Sequence, residues 1–171
     1  MREGLAATAI AAGLLLAGCS SGATPPTQPE LPHRAAPQKS LTASDPCALL
    51  TADQLKSLAL DQEPKPIDQG CEFGAGAPDG PGWKAFAAAD EHGTYTQFVE
   101  ANQGAQRLEI GGYPAAKVND ATGCTLVLDA ADTGSLRVTA LVRPGAPIEV
   151  GSSCDAATKV AEEALKTLPS A

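Results

Sequence analysis

The run Cys124-Thr125-Leu126-Val127-Leu128-Asp129-Ala130-Ala131-Asp132-Thr133-Gly134-Ser135-Leu136-Arg137-Val138-Thr139-Ala140-Leu141-Val142 decides the fold class. Cys124, Leu126 and Leu128 alternate with other residues at a two-residue period, as do Leu136, Val138, Ala140 and Val142. That period places each set on one face of a β-strand. Asp132-Thr133-Gly134 between them is turn chemistry, so the two runs predict an antiparallel hairpin with one buried face. A buried face needs a second layer against it. Immediately downstream, Cys154, Ala157, Ala161, Ala164, Leu165 and Leu168 recur at helical spacing, with Lys159, Glu162, Glu163 and Lys166 opposite. Ser153 is the expected cap and Pro169 the stop.

Upstream, Arg107–Ile110 and Ala115–Val118 read as strands bent around Gly111-Gly112-Tyr113-Pro114, and Tyr95–Asn102 as a short helix. Cys71-Glu72-Phe73 and Trp83–Ala89 make a further hairpin across a Gly- and Pro-rich loop, Gly74–Gly82. Asp45-Pro46-Cys47 is a helix-start signature. Thr51-Ala52-Asp53-Gln54 then fits a capping box, with Leu50, Leu55, Leu58 and Leu60 as the apolar side and Pro64 and Pro66 closing the helix. The prediction is an α+β domain over residues 45–171: an antiparallel β-sheet with an N-terminal and a C-terminal helix packed on it.

The chain's first 44 residues differ in kind. Leu5–Leu16 has the length of a signal-peptide apolar region and is too short to span a bilayer. It leads into Leu16-Ala17-Gly18-Cys19, which resembles the lipobox of bacterial lipoproteins. On that reading residues 1–18 are removed, Cys19 carries the lipid, and the protein is exported and anchored to the outer face of the cytoplasmic membrane. Residues 19–44, with prolines at 25, 26, 29, 32 and 37, read as a disordered stalk carrying a solvated His33.

Four cysteines remain: Cys47, Cys71, Cys124 and Cys154. An even number in an exported domain predicts two disulfides, with three pairings open. Position in the predicted elements favours Cys47–Cys71 and Cys124–Cys154, each stapling a helix start to a strand. Structural zinc and redox pairs both want Cys-x-x-Cys, which is absent, so no metal and no cofactor are expected.

Residues 45–171 hold 18 acidic against 9 basic side chains. Such a domain is a poor nucleic-acid binder and is repelled by anionic headgroups, leaving the lipid as its only hold on the membrane.

Taken in order, Cys19, the Pro-rich stalk, Asp45-Pro46-Cys47, Cys71-Glu72-Phe73, Gly112-Tyr113-Pro114-Ala115, Cys124 and Cys154 resemble the actinobacterial lipoproteins grouped as domain of unknown function 3558. The family often carries Trp where this chain has Phe73. The resemblance implies an α+β envelope domain of actinobacterial origin and supplies no catalytic residue.

The sequence offers few chemical groups. His92, in Asp90-Glu91-His92-Gly93-Thr94, is the one apparent general base, but neither a Gly-x-Ser-x-Gly nor a spare cysteine accompanies it. Gly74–Gly80 lacks the Gly-Lys-Ser/Thr ending of a phosphate loop. Asp120, Asp129 and Asp132 lack EF-hand spacing. Trp83 and Phe73 are assigned to the core. Tyr113 is the candidate ligand contact, because its Gly-Gly-Tyr-Pro bend reads as a loop. The expectation is a non-enzymatic module holding a protein partner or a small envelope ligand; the alternative is an envelope hydrolase or transferase using carboxylates or His92.

Overall fold

The computed structural model describes residues 32–42, 45–77 and 80–171, which lie within one compact unit, residues 31–171. After a one-turn 3-10 helix, Pro46–Leu49, come α1 (Ala52–Ser57), β1 (Lys65–Ile67), β2 (Gly70–Gly76), β3 (Gly82–Asp90) and α2 (Tyr95–Ala101). There follow β4 (Gln106–Ile110), β5 (Tyr113–Asp120), β6 (Gly123–Ala131), β7 (Gly134–Val142), a short 3-10 turn at Ile148–Val150, and α3 (Ser153–Thr167). The strands form one antiparallel seven-stranded sheet in the order β1-β2-β3-β7-β6-β5-β4. Two meanders are thus joined by the central β3–β7 pair.

The β6–β7 hairpin stands as the alternation demands. Cys124, Leu126, Leu128, Leu136, Val138 and Ala140 are all buried on one face. Against them lies α3, whose Ala156, Ala157, Val160, Ala161 and Ala164 are fully buried. Alanine on the contact face lets the helix approach the strands closely, which suits a core lean in aromatic residues. The α3 cap is one residue earlier than expected. Ser152 accepts the Asp155 N–H at 3.2 Å, while Ser153 Oγ accepts the Val142 N–H and ties the end of β7 to the helix.

Helix α1 has its capping box: Thr51 Oγ1 accepts from Gln54 N–H and Gln54 Oε1 from Thr51 N–H. It stops well before Pro64, because Ala59 turns left-handed at φ +54° and the Leu60 N–H closes onto the Leu55 carbonyl. Glycine usually fills that position, and an L side chain there costs about 1–2 kcal/mol. The residues freed by this early stop include β1, where Pro66 sits on an edge strand that tolerates its missing N–H.

Helix α2 covers part of the opposite face of the sheet. Its Tyr95 and Val99 pack on Ala116, in a cluster separate from the main core, whereas neighbouring Ala115 faces that core. The two-layer prediction therefore gains a partial third layer.

Both disulfides are those favoured from position. Cys47–Cys71 joins the first 3-10 turn to β2, and Cys124–Cys154 joins the start of β6 to the first turn of α3. With partners 24 and 30 positions apart in sequence, each contributes about 3–4 kcal/mol by restricting the unfolded chain.

The expected stalk requires correction. Residues 32–42, assigned to it as disordered, lie along one end of the sheet as a strap. Ala35 and Ala36 donate to the Gly112 carbonyl, and Lys39 N–H donates to that of Ala130, beside the register shift in β6. Ser40 donates to Pro169, and Ala171 N–H donates to the Gln38 carbonyl. Leu41 is 7 % exposed and tucks beside Gly134. A polar, Pro-rich stretch holds here because its amides find carbonyls at strand ends and one leucine finds the core. The folded unit thus begins at least as early as Pro32, not at Asp45. His33 is exposed. Cys19 and the rest of the expected stalk lie outside the described residues.

Candidate ligand clefts at the two ends and faces of the sheet

The strand register fixes two ends. At one, Asp90 faces Ser135 and the β4–β5 and β6–β7 turns emerge; at the other, Trp83 faces Val142 and Gly76 faces Gly82. The strap occupies the first end. Arg34 reaches Asp132 at 2.7 Å and Asp129 at 3.4 Å, Gln38 donates to Asp132, and Lys39 Nζ donates to the Leu168 carbonyl. Burial pushes the Asp129 carboxyl above its ordinary range, partly offset by Arg34, whereas the hydrogen bonds from Arg34 and Gln38 hold Asp132 below it.

Tyr113 belongs to this same end, and its expected role needs correcting. It opens β5 rather than a loop, is 4 % exposed, and its hydroxyl donates to the Pro37 carbonyl at 2.7 Å. Its polar group is engaged by the strap, so Tyr113 clamps this chain's own N-terminal segment instead of offering itself to a ligand. Gly111 and Gly112, both at positive φ, make the preceding two-residue turn. A Cβ on Gly112 would stand 3.1 Å from that of Ala36, so glycine also admits the strap.

His92 is exposed in the β3–α2 turn. The Asp90 carboxylate beside it accepts the backbone N–H groups of His92 and Gly93 at 2.9 and 2.8 Å, and the Gly93 bond foremost holds it below its ordinary range. Asp90 thus builds the turn. It does not orient the imidazole as a catalytic carboxylate would.

Asp120 caps its own turn through Thr122 and lies at the other end of β5 from the Arg34-linked pair. The three aspartates singled out from sequence do not converge. Among the described residues no group of three His, Cys, Asp or Glu side chains could hold a metal ion.

At the end away from the strap the surface opens. A cleft of about 1,060 Å³ lies between α1 with the loop after it, the β2–β3 tip, and the turn after β7; Leu55, Ala59, Leu60, Ala75, Pro81 and Pro147 line it. A second cleft, about 440 Å³, adjoins it through Ala59 and Pro147 and is lined further by Leu58, Trp83, Val150, Ala156, Glu149 and Lys159. Trp83 is 3 % exposed, and its indole N–H is buried with no acceptor among the described residues. Next to these clefts Ile148 stands 95 % exposed. Sequence reasoning placed Trp83 in the core, which is right for its rings, and missed that one edge of it borders a cavity. The neighbours that create the cavity come from three separated segments, so no local signal marks it.

A third concavity, about 510 Å³, lies under α2 on the opposite face and is polar, with Asp90, Gln97, Asn102, Thr125 and Arg137 in its lining. Much of that polarity is engaged internally: Gln97 in the Thr94 capping box, Thr125 with Thr139.

Comparison with known proteins adds one finding. A family model described as a protein of unknown function, DUF3558, matches residues 14–167. The chain belongs to this family. The match covers the strap, the whole sheet and all of α3, and it begins ahead of Cys19. No curated protein and no solved structure matches the chain. No helix among the described residues is long and apolar enough to cross a membrane.

Proposed function

We propose that the protein is an exported, lipid-anchored envelope module that binds a protein partner or small ligand without catalysing a reaction, and presents its binding end away from the membrane. One observation carries this reading. The chain enters the domain through a strap bonded along one end of the sheet, and the apolar clefts with exposed Ile148 open at the other. Cys19 lies 13 residues before Pro32, and the chain joins the domain at the strapped end, which supports that end as the one nearer the anchor. Two disulfides suit an oxidising compartment outside the cytoplasm. Exposed apolar surface beside a concavity is the usual mark of an interaction site.

The test uses intact cells. A photo-crosslinking residue at position 148 is compared with one at Thr133, in the turn at the strapped end. The expected result is an adduct of defined mass from 148 and none from 133, with the protein leaving the membrane fraction on Cys19→Ser. Adducts from 133 alone would overturn the orientation, and membrane retention of the Cys19→Ser protein would overturn the anchor.

A further inference from the structure

The two edges of the sheet differ. Strand β1 is three residues long with Pro66 at its centre, which leaves it little to offer another strand. Strand β4 has no proline and pairs with β5 without a bulge. Helix α3 packs on β3, β5, β6 and β7, and α2 on β5 and β6, so β4 is left at the rim of both layers.

The Gly111-Gly112 turn closes on the Ile110–Tyr113 pair, and this fixes which backbone groups of β4 face β5. Ile110, Leu108 and Gln106 direct their amides and carbonyls at β5; by alternation Arg107 and Glu109 direct theirs outward. Pro114, which has no amide to give, accordingly stands opposite Glu109. Among the described residues nothing bonds to the outward backbone groups of Arg107 and Glu109, and neither side chain is in a salt bridge; both are exposed.

We propose that this edge docks a second copy of the chain, β4 against β4 antiparallel, about a two-fold axis at Leu108. Parity and charge select the register. Hydrogen bonds across the new pair must join outward-facing residues, so odd-numbered positions face odd-numbered ones. Setting Arg107 opposite Arg107, or Glu109 opposite Glu109, brings like charges face to face. With the axis at Leu108, Arg107 of each copy faces Glu109 of the other, and both pairs exchange backbone hydrogen bonds. The two Leu108 side chains then meet on the opposite face, where each is half-buried against its own core. A strand complementary to this edge carries a basic, an apolar and an acidic residue in that order, which is the edge's own Arg107-Leu108-Glu109.

A five-residue edge buries less than a standard interface, so the pair is weak in solution and gains from any surface that concentrates it. The inference does not rest on the binding reading above, since it uses a sheet edge and not the clefts. Because the axis stands normal to the sheet, the strapped ends of the two copies point opposite ways along the strands. The upright stance proposed above then belongs to the single copy, and a pair sharing one bilayer lies with its sheet along the surface.

Covalent trapping reads the register. The experiment uses the chain from residue 19 onward, with Cys19→Ser and the native disulfides formed, in a glutathione redox buffer. Facing residues of a non-hydrogen-bonded pair have Cα atoms about 4.5 Å apart, so Leu108→Cys should be trapped as a disulfide dimer. Gln106→Cys should not, because the two copies of residue 106 lie about 13 Å apart along the strands. In the Leu108→Cys background, Arg107→Glu and Glu109→Arg should each slow trapping about tenfold, and the two together should restore it to within about twofold. The single changes move net charge in opposite directions, so general repulsion cannot slow both. In the chain with β4 unaltered, the Arg107 and Glu109 amides should gain exchange protection as concentration rises, while that of Leu108, already bonded to β5, stays constant.

Trapping at 106 as fast as at 108, slowing that the double swap does not rescue, or amide protection indifferent to concentration overturns the proposal. A photo-crosslinking residue at position 107 that gives an adduct with another protein on cells, and no dimer, makes the edge a site for that protein and overturns self-pairing.

Discussion

The two ends of the sheet are built to different ends. At the strapped end, strand-terminal carbonyls at Gly112 and Ala130 meet amides of residues 35–39, Tyr113 meets Pro37, and Leu41 fills the space beside Gly134. At the open end an isoleucine stands in solvent and an alanine holds a left-handed conformation, while each end keeps one buried donor without an acceptor, the Trp83 indole N–H here and Arg34 Nε in the strap. Folding alone would favour the first arrangement everywhere. Keeping the second forgoes stability, and sites that do so are where recognition is usually found.

The largest effect that could break this contrast comes from the Cys124–Cys154 bridge, which holds the first turn of α3 to β6 at the open end. Replacing both cysteines by alanine should lower unfolding stability by about 3–4 kcal/mol, read as a lower urea midpoint with a steeper slope, because the unfolded chain loses a cross-link and exposes more surface. If the loss is small, the open end is held by packing alone, and its clefts are better regarded as loose than as preformed.

Next comes the strap. Leu41→Ala removes a side chain 7 % exposed and should cost about 2–3 kcal/mol. The distinguishing readout is amide exchange: residues 35–40 should lose protection while the amides of β3 and β7 keep theirs. Uniform loss across the sheet would make the strap part of one cooperative unit, and unchanged protection would show that Leu41 does not hold it.

How much of this contrast could be read from sequence follows from the range of the interactions. The β6–β7 hairpin, the α3 stripe and the Thr51 capping box depend on neighbours within a few positions, and each stands as its pattern predicts. The disulfide pairing was favoured by the same local logic, helix start to strand. The strap was not legible. In 32–42 no period repeats, and what holds the segment is backbone bonding to residues about 70 to 130 positions away, which composition does not encode. Tyr113 was misplaced for the same reason: its bend looked like an exposed loop because the segment covering it looked like a stalk. The clefts were equally silent, since their walls come from α1, the β2–β3 tip and the turn after β7. Ala59 gave no warning either, because a left-handed helix end is usually announced by glycine or asparagine.

A third prediction sharpens the role of the Gly111-Gly112 turn. Gly112→Ala meets both a φ of +84° and the Ala36 side chain at 3.1 Å, and should cost about 1–2 kcal/mol. Gly111 also has positive φ, but a Cβ there meets nothing closer than 3.7 Å. Gly111→Ala should therefore carry the backbone cost alone. In thermal unfolding the difference between the two variants measures the strap contact separately from the turn.

The smallest effect concerns Arg34, and its size changes with pH. Asp132 is held below its ordinary range by Arg34 and Gln38, so its stabilising part is present at neutral pH and fades as pH falls through that lowered value. Asp129 behaves in the opposite sense. Burial raises its carboxyl, so its ionised form disfavours the folded state, and that penalty disappears below the ordinary aspartate range. Arg34 opposes the penalty, with its side chain 12 % exposed beside an Asp129 that is 24 % exposed. Arg34→Gln removes the cation from both. At neutral pH the variant should be less stable than the parent by about 1 kcal/mol, a part-buried pair discounted for solvent screening. Only below the lowered range of Asp132, where both carboxyls are protonated, should the two proteins converge. Between these limits Asp129 in the variant should titrate at higher pH than in the parent, which carboxyl-carbon NMR detects directly. Equal stability across the whole range would mean that the strap is held by its amides and Leu41, with the ion pairs contributing nothing.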